Sequence, residues 1–406
     1  MNNIKIGEYL STLRKYYKIT QDELADRLGV TRQAISKWEN GVAIPDVEFL
    51  MKLSDLYGVS INDILNADIA SIKYQKEIVF PSKDKQTKKV MVIGCGRWGT
   101  FIAWYLNRIG HQVSLYGRKT SARMQQLIAT KQNEYMQLDD SIQLVTELDG
   151  IDNAEYIIIS VPAQNLQTLV EELASRQIAN KTVVLCMKGI EITTGRRLSQ
   201  IVSDGLDNSN NVAVWLGPGH VEEFYRGVPN CMVIDSNKEL VKDMLIRDFS
   251  SDLIRFYYGT DLIGNEIGAA AKNVIGIAAG MLDGLDLSSL KGALMSRGTN
   301  EIAKLIVAMG GKASTVYGLC HLGDYEATLF SEHSHNRTFG KAWVLKKSYD
   351  KLAEGYYTVK ALCNLGNAYG VELPICEAAY QILYENADAQ KSLEKLFSRS
   401  LRNEFV

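Results

Sequence analysis

Residues 89–104 read KVMVIGCGRWGTFIAW. A short apolar run rich in β-branched side chains meets Gly94-x-Gly96-x-x-Gly99 and then an amphipathic stretch, which predicts a strand, a tight turn and a helix. In that setting each glycine has its own task. Gly94 permits the turn, Gly96 leaves room for a pyrophosphate, and Gly99 lets the helix pack closely on the strand. The free N–H groups of the helix start then face the phosphates. With Arg97 and Trp98 inside it, the turn is a candidate dinucleotide site.

Working outward from this turn, QVSLYG, AEYIIISVP, KTVVLCMKG, NVAVWLG and CMVID alternate with helical stretches. That alternation predicts a mostly parallel sheet with helices on both faces over residues 88–255, a Rossmann domain. From about 256 the strands stop, and the remainder reads as an all-α domain, 256–406. The second strand ends in Tyr116-Gly117-Arg118-Lys119, with no acid to hold ribose hydroxyls. Arg118 and Lys119 there suit an extra phosphate, so NADP(H) is expected over NAD. Pro162, in Ser160-Val161-Pro162, ends the AEYIIIS strand on the cofactor side.

Upstream, residues 1–67 read as short helices. Thr20 with Glu23 forms a capping box for QDELADRLG, Gly29 ends that helix, and Thr31 caps RQAISKWENG. Asp46 and Ser60 are further candidate caps. Leu24, Leu28, Ile35, Trp38, Leu50, Leu53, Leu56 and Ile64 recur at helical spacing and predict one small core. Residues 68–87, which end in FPSKDKQT, read as a linker. The expected fold class is therefore multidomain: an all-α helix-turn-helix module, an α/β Rossmann domain and an all-α C-terminal domain.

The 406 residues, 46% hydrophobic and 23% charged, suffice for two or three cores. A net charge of −2 demands no polyanionic partner, so any DNA binding must rest on the local motif. The cysteines are scattered without a C-x-x-C pair, which argues against a zinc ribbon or a disulfide framework and points to reduced thiols in the cytoplasm. No apolar run approaches the roughly 18 residues of a membrane span, and the N-terminus lacks the apolar stretch of a signal peptide. His220, His321, His333 and His335 show no zinc-site spacing, so no metal is expected.

From about 89 to 386 the chain resembles the bacterial glycerol-3-phosphate dehydrogenases, through GCGRWGT, MKGIE, GPGHVEEF, EIGAAAKNVIGIAAG, LMSRGTNEI, VYGLCHLGDYEAT, HNRTFG, EGYYTV and ELPI in that order. The resemblance implies interconversion of dihydroxyacetone phosphate and sn-glycerol 3-phosphate by hydride transfer with NAD or NADP. Lys272 matches the catalytic lysine that exchanges a proton with the substrate oxygen, and Asp324 the acid that pairs with it. Lys188 matches a substrate-contacting lysine. Asn273, Thr328 and Asn336 match polar residues around substrate and nicotinamide, Arg337 the second arginine of the R-N-R motif, and Glu354 a residue near the cofactor. The residues themselves agree: a ketone reduction builds charge on oxygen that an ammonium can neutralise. Lys272 also lies in a Gly/Ala-rich helix where desolvation lowers its pKa and an acid partner is required.

Two departures stand out. Where the family reads G-P-S-F, this chain has Gly217-Pro218-Gly219-His220, and His335 replaces the arginine expected to clamp the substrate phosphate. Histidine lacks the fixed, permanently charged fork of arginine. Phosphate binding is therefore expected to be weaker or arranged differently, using Arg337, Lys188 or His220.

Residues 1–67 resemble the phage-repressor helix-turn-helix through ITQDELADRLGVTRQAISKWENGVAIP. The second helix of that motif enters the major groove. Thr31, Arg32, Gln33, Ser36 and Lys37 are its candidate DNA contacts, Gln33 suited to adenine and Arg32 to guanine or phosphate. Gln21 resembles the glutamine that holds the backbone. A homodimer on a two-fold site is expected. Three functions are then open: a dehydrogenase that also binds double-stranded DNA, a metabolite-sensing repressor on a weakly active dehydrogenase fold, or an enzyme with a protein-interaction module.

Overall fold

Capped breaks divide the N-terminal helices as the sequence predicts. The Thr20 hydroxyl accepts from the Glu23 N–H at 3.2 Å while the Glu23 carboxylate accepts from the Thr20 N–H at 2.7 Å, which opens α2 (Gln21–Leu28). Gly29, at φ +70°, ends it in the left-handed conformation. Thr31 caps α3 (Arg32–Glu39) through the Ala34 N–H, and Asp46 caps α4 (Val47–Tyr57) through the Phe49 N–H. α1 (Asn3–Tyr16) precedes them and α5 (Ile61–Asn66) follows. The computed structural model describes residues 3–399 apart from 18, 58, 60, 68–85 and 333. The Ser60 cap and nearly all of the expected linker lie outside the described residues.

The chain divides into two units, 1–80 and 81–406. In the first, the expected core residues are buried, with Leu56 only partly so. Ile6, Tyr9, Leu10 and Leu13 of α1 join them. The Arg14 guanidinium donates to both carboxylate oxygens of Glu39, at 2.5 and 2.9 Å, and to the Ile19 carbonyl at 2.8 Å. α1 and α3 are thereby tied together under the turn.

The second unit begins with the quoted motif: β1 (Lys89–Ile93), α6 (Arg97–Arg108) and β2 (Gln112–Tyr116). α7 (Ala122–Thr130), β3 (Gln143–Val145), β4 (Tyr156–Ile159), α8 (Leu166–Ser175), β5 (Thr182–Leu185) and α9 (Leu198–Gly205) continue it. β6 (Asn211–Leu216), α10 (Val221–Tyr225), β7 (Asn230–Asp235), α11 (Glu239–Phe249) and β8 (Ile254–Tyr258) complete one sheet of order β3-β2-β1-β4-β5-β6-β7-β8. All neighbours are parallel except β6 and β7. Alternate residues face opposite layers: Val90 and Val92 join one core, Met91 and Ile93 the other.

β3 and β8 are additions to the expected strands. β3 is very short, and β8 is an edge strand whose Arg255 and Tyr257 are exposed, so neither carries a continuous apolar run. β8 also carries the sheet to Tyr258, past the expected boundary at 255. Helices then follow: α12 (Leu262–Gly284), α13 (Lys291–Ala308), α14 (His335–Val344), α15 (Glu354–Tyr369), α16 (Pro374–Tyr384) and α17 (Ala389–Phe397). Among the described residues no helix is long and apolar enough to cross a membrane.

Candidate functional site

The strand order reverses between β1 and β4, and the glycine turn lies at that switch point, where open parallel sheets bind ligands. Gly94 has φ +116°, and a Cβ there would lie 2.2 Å from the Ser160 carbonyl oxygen. A Cβ at Gly99 would lie 1.9 Å from the Gly94 carbonyl oxygen. Both positions admit only glycine. A Cβ at Gly96 would meet nothing within 4 Å, so the face of the turn that a pyrophosphate would occupy is open. The residues present fit a dinucleotide.

Arg118 and Lys119 are exposed beyond β2. Trp98 packs on Phe101 and Phe224, at centroid distances of 5.0 and 6.2 Å. Arg97 is ion-paired with Glu222 and lies over the Tyr135 ring at 5.0 Å.

A chain of contacts runs from the segment after β4, whose Ser160 lies against the glycine turn, to the helical domain. Pro162 leads into Ala163, whose N–H donates to Glu354 Oε1 at 3.3 Å. The other Glu354 oxygen is buried without a hydrogen-bond partner among the described residues, and burial raises the pKa of this carboxyl. The next residue, Gly355, donates to Asn336 Oδ1 at 3.0 Å. Asn336 donates to Asn273 at 3.1 Å, and Asn273 to the Lys188 carbonyl at 3.2 Å. Lys272 is adjacent.

Lys272 is buried in the middle of α12. Its ammonium lies 2.9 Å from Asp324 Oδ2 and donates to the Thr328 hydroxyl at 2.7 Å, which in turn donates to the Asp324 carbonyl at 2.7 Å. Lys188 takes the same carboxylate oxygen at 2.6 Å and donates to the Gly217 carbonyl at 2.6 Å. Burial pushes the Lys272 pKa down to about 8; the Asp324 carboxylate opposes that shift and Lys188 adds to it. Asp324 closes a 3-10 turn, and Thr328 sits in a π-helical turn, Glu326–Phe330, of the kind found at functional sites.

Close helix packing sets these positions. A Cβ at Gly280 would lie 1.9 Å from the Arg337 carbonyl oxygen, one at Gly340 2.0 Å from the Ile277 carbonyl oxygen, and one at Gly276 2.7 Å from Thr328 Cγ2. Gly276, Gly280 and Gly284 recur every four residues, so they line one face of α12 and let α14 approach backbone to backbone. That spacing was the readable signal for the contact.

The remaining expected residues are distributed as follows. Gly217 and Gly219 have φ +135° and +137°, and a Cβ at Gly219 would lie 2.3 Å from the Phe224 ring, so glycine is required where the family has serine. His220 precedes α10 as its N-cap residue. Arg337 is held by Asp283 at 2.6 Å and by the Phe330 carbonyl at 2.9 Å, and Lys188 is likewise engaged. His335 Nδ1 lies 2.8 Å from the Tyr349 hydroxyl, and burial lowers its pKa. His321 is buried between the Gly268 carbonyl and the Tyr325 hydroxyl. His333 lies outside the described residues. Tyr135, Glu222, Tyr349 and Lys351, which share a cavity with His335, carried no sequence signal.

In the first unit, Thr31, Arg32, Gln33 and Lys37 are exposed on one side of α3, and Ser36 accepts from Asn40 at 3.2 Å. Arg32 lies 3.7 Å from Asp22. The Gln21 amide donates to Glu39 at 2.9 Å.

A parallel sheet with a glycine turn at its switch point, joined to a helical domain that presents a desolvated lysine paired to a carboxylate, defines an oxidoreductase of the dinucleotide-binding class. Residues 89–241 match the NAD-dependent glycerol-3-phosphate dehydrogenase N-terminus model and 261–394 the C-terminus model, while 10–64 match a helix-turn-helix model. The glycerol-3-phosphate dehydrogenase [NAD(P)+] of Chlorobium limicola is 33% identical over 330 residues, covering 78% of this chain and 99% of the relative. That of Fusobacterium nucleatum is 35% identical over 331 residues, covering 78% and 98%. The crystal structure of glycerol-3-phosphate dehydrogenase from Coxiella burnetii superposes with a TM-score of 0.72 at 27% identity, covering 77% of this chain and 99% of that one. The chain belongs to the NAD-dependent glycerol-3-phosphate dehydrogenase family and carries an N-terminal helix-turn-helix module.

Proposed function

We propose that residues 88–406 interconvert dihydroxyacetone phosphate and sn-glycerol 3-phosphate with NAD(P), preferring NADP(H), and that the N-terminal module binds double-stranded DNA. The observation that carries the enzymatic reading is the buried Lys272–Asp324 pair, joined through Asn273, Asn336 and Glu354 to the segment after β4 that borders the glycine turn. A bound reduced nicotinamide supplies a hydride to the ketone carbon. Lys272, poised near pKa 8, hydrogen-bonds the ketone oxygen and gives it a proton as charge develops; in the reverse direction the neutral amine withdraws that proton. Asp324 and Thr328 hold the ammonium in one orientation, and the Asn273–Asn336 link fixes the substrate face. Gly94, Gly96 and Gly99 with the start of α6 would hold the pyrophosphate, and Glu354 would lie near the cofactor.

The test is oxidation of NADPH by the full chain with dihydroxyacetone phosphate. Turnover above about 1 per second, abolished in Lys272→Met, is expected; no turnover with NADPH or NADH overturns the reading. Arg118→Ala should raise KM for NADPH more than for NADH, and a strong NADH preference in the parent chain removes the assignment of Arg118 and Lys119.

For the module, exposed Thr31 at the N-cap and exposed Arg32, Gln33 and Lys37 on α3, with the half-buried Ser36, support major-groove contact. Selection from random duplexes should enrich a two-fold sequence whose affinity falls in Gln33→Ala. Binding that never exceeds the non-specific level refutes it. The chain is proposed to act as a cytoplasmic homodimer, which sedimentation of the purified protein checks.

A further inference from the structure

The cleft between the sheet and the helical domain contains a cavity of about 360 Å³. Arg97, Tyr135 and Glu222 line it from the sheet side; His335, Tyr349 and Lys351 line it from the helical side. His335 is two residues before Arg337 and next to Asn336, so the cavity adjoins the network that holds Lys272. A phosphorylated substrate needs a cation to meet its phosphate; of those at hand Lys351 is exposed at the cavity's rim, and Lys188 and Arg337 are already committed. Lys188 is shared between Asp324 and the Gly217 carbonyl, and Arg337 between Asp283 and the Phe330 carbonyl. His335 is held by Tyr349, and burial, reinforced by Arg97 and Lys351, lowers its pKa, which disfavours the charged ring.

Arg97 is different. It reaches the cavity from the first position of α6, and Glu222 takes only its Nη2. Its Nε is buried with no hydrogen-bond partner among the described residues. A buried donor left open costs free energy that an arriving acceptor recovers. The planar fork offers more donors than one carboxylate uses, so it can keep Glu222 and accept a second oxyanion. Glu134 and Glu332 also face the cavity, so its net charge does not draw an anion in. Recognition there depends on a directed, charge-assisted donor.

Resting on the dehydrogenase reading above, we propose that Arg97, carried by the dinucleotide turn, is the residue that clamps the phosphate end of the substrate, in place of a cation at position 335. The clamp then belongs to the same loop that holds the cofactor, and Glu222 positions it.

The experiment compares the full chain with Arg97→Met, Arg97→Lys and His335→Ala. KM for dihydroxyacetone phosphate is measured at saturating NADPH, and cofactor Kd by protein fluorescence without substrate. Arg97→Met should raise KM roughly 10- to 100-fold, as loss of a charged hydrogen bond does. Arg97→Lys should recover part of it, and His335→Ala should raise KM less than Arg97→Met does. Cofactor Kd should move less than KM in every variant. A raised cofactor Kd with unchanged KM in Arg97→Met and Arg97→Lys, or a KM effect confined to His335→Ala, overturns the proposal. If the parent chain does not reduce dihydroxyacetone phosphate, that failure belongs to the dehydrogenase reading. Arg97 is then tested separately by calorimetric titration of inorganic phosphate into the NADPH-loaded protein. Binding lost in Arg97→Met supports the clamp; binding that is equal in both proteins or absent in the parent rejects it.

Discussion

Replacing Lys188 by methionine should move the pH dependence of ketone reduction to higher pH. Burial displaces the Lys272 pKa from 10.5 to about 8, a bias toward the neutral amine of roughly 3 kcal/mol. About nine-tenths of the lysine is then protonated at pH 7 and about a tenth at pH 9. Reduction requires the ammonium, so kcat/KM should fall about tenfold per pH unit above 8, while oxidation should rise toward the same pKa. Lys188 and Lys272 contact the same Asp324 oxygen, at 2.6 and 2.9 Å. Removing Lys188 deletes one repelling cation and leaves that oxygen to Lys272, so both effects raise its pKa, by about one unit. The assay is kcat/KM for dihydroxyacetone phosphate between about pH 6 and 10 in the parent and Lys188→Met. A substrate contact made by Lys188 would change the height of the profile and not the position of its alkaline limb. A parent limb near the ordinary lysine value, or a limb that stays or moves down in Lys188→Met, refutes the argument.

Other outcomes follow from the same geometry. Gly96→Val fills open space at an extended backbone position, so the protein should fold normally while its cofactor Kd rises at least about tenfold. Gly94→Ala meets the Ser160 carbonyl and should lose stability instead; equal melting temperatures would contradict this. Gly280→Ala drives a methyl into the Arg337 backbone, so it should cost about 1–3 kcal/mol and lower kcat by shifting Asn336. Calorimetry and kinetics identical to the parent would show that α12 and α14 are not packed as described. Glu39→Ala leaves Arg14 buried without its acid and should destabilise the helix-turn-helix by about 3 kcal/mol, read as faster amide exchange in α1–α3. Unchanged protection there would remove the pair's assigned role.

The glycine turn, the sheet and the short capped helices were legible because each is encoded locally. A β-branched run, a glycine that alone tolerates positive φ, and a hydroxyl three residues before an N–H are properties of neighbouring residues. The resemblance located Lys272 and Asp324, but no spacing rule could pair residues more than fifty positions apart. Their meeting depends on the approach of α14 to α12 and on the π-helical turn that aims Thr328 at the ammonium. Those are decided by steric room between backbones, which glycine spacing hints at and only packing realises. The cavity around Arg97 was hidden for the same reason. Its walls come from a strand–helix turn, a loop, α10 and the segments flanking α14, and no spacing in the sequence brings them together. Sequence by itself determined which elements form and which cofactor class the turn suits, because local sterics and hydrogen bonding act within a few residues. Tertiary structure decided which charges are desolvated, which are already paired and which remain available, because burial and proximity exist only once distant segments have packed.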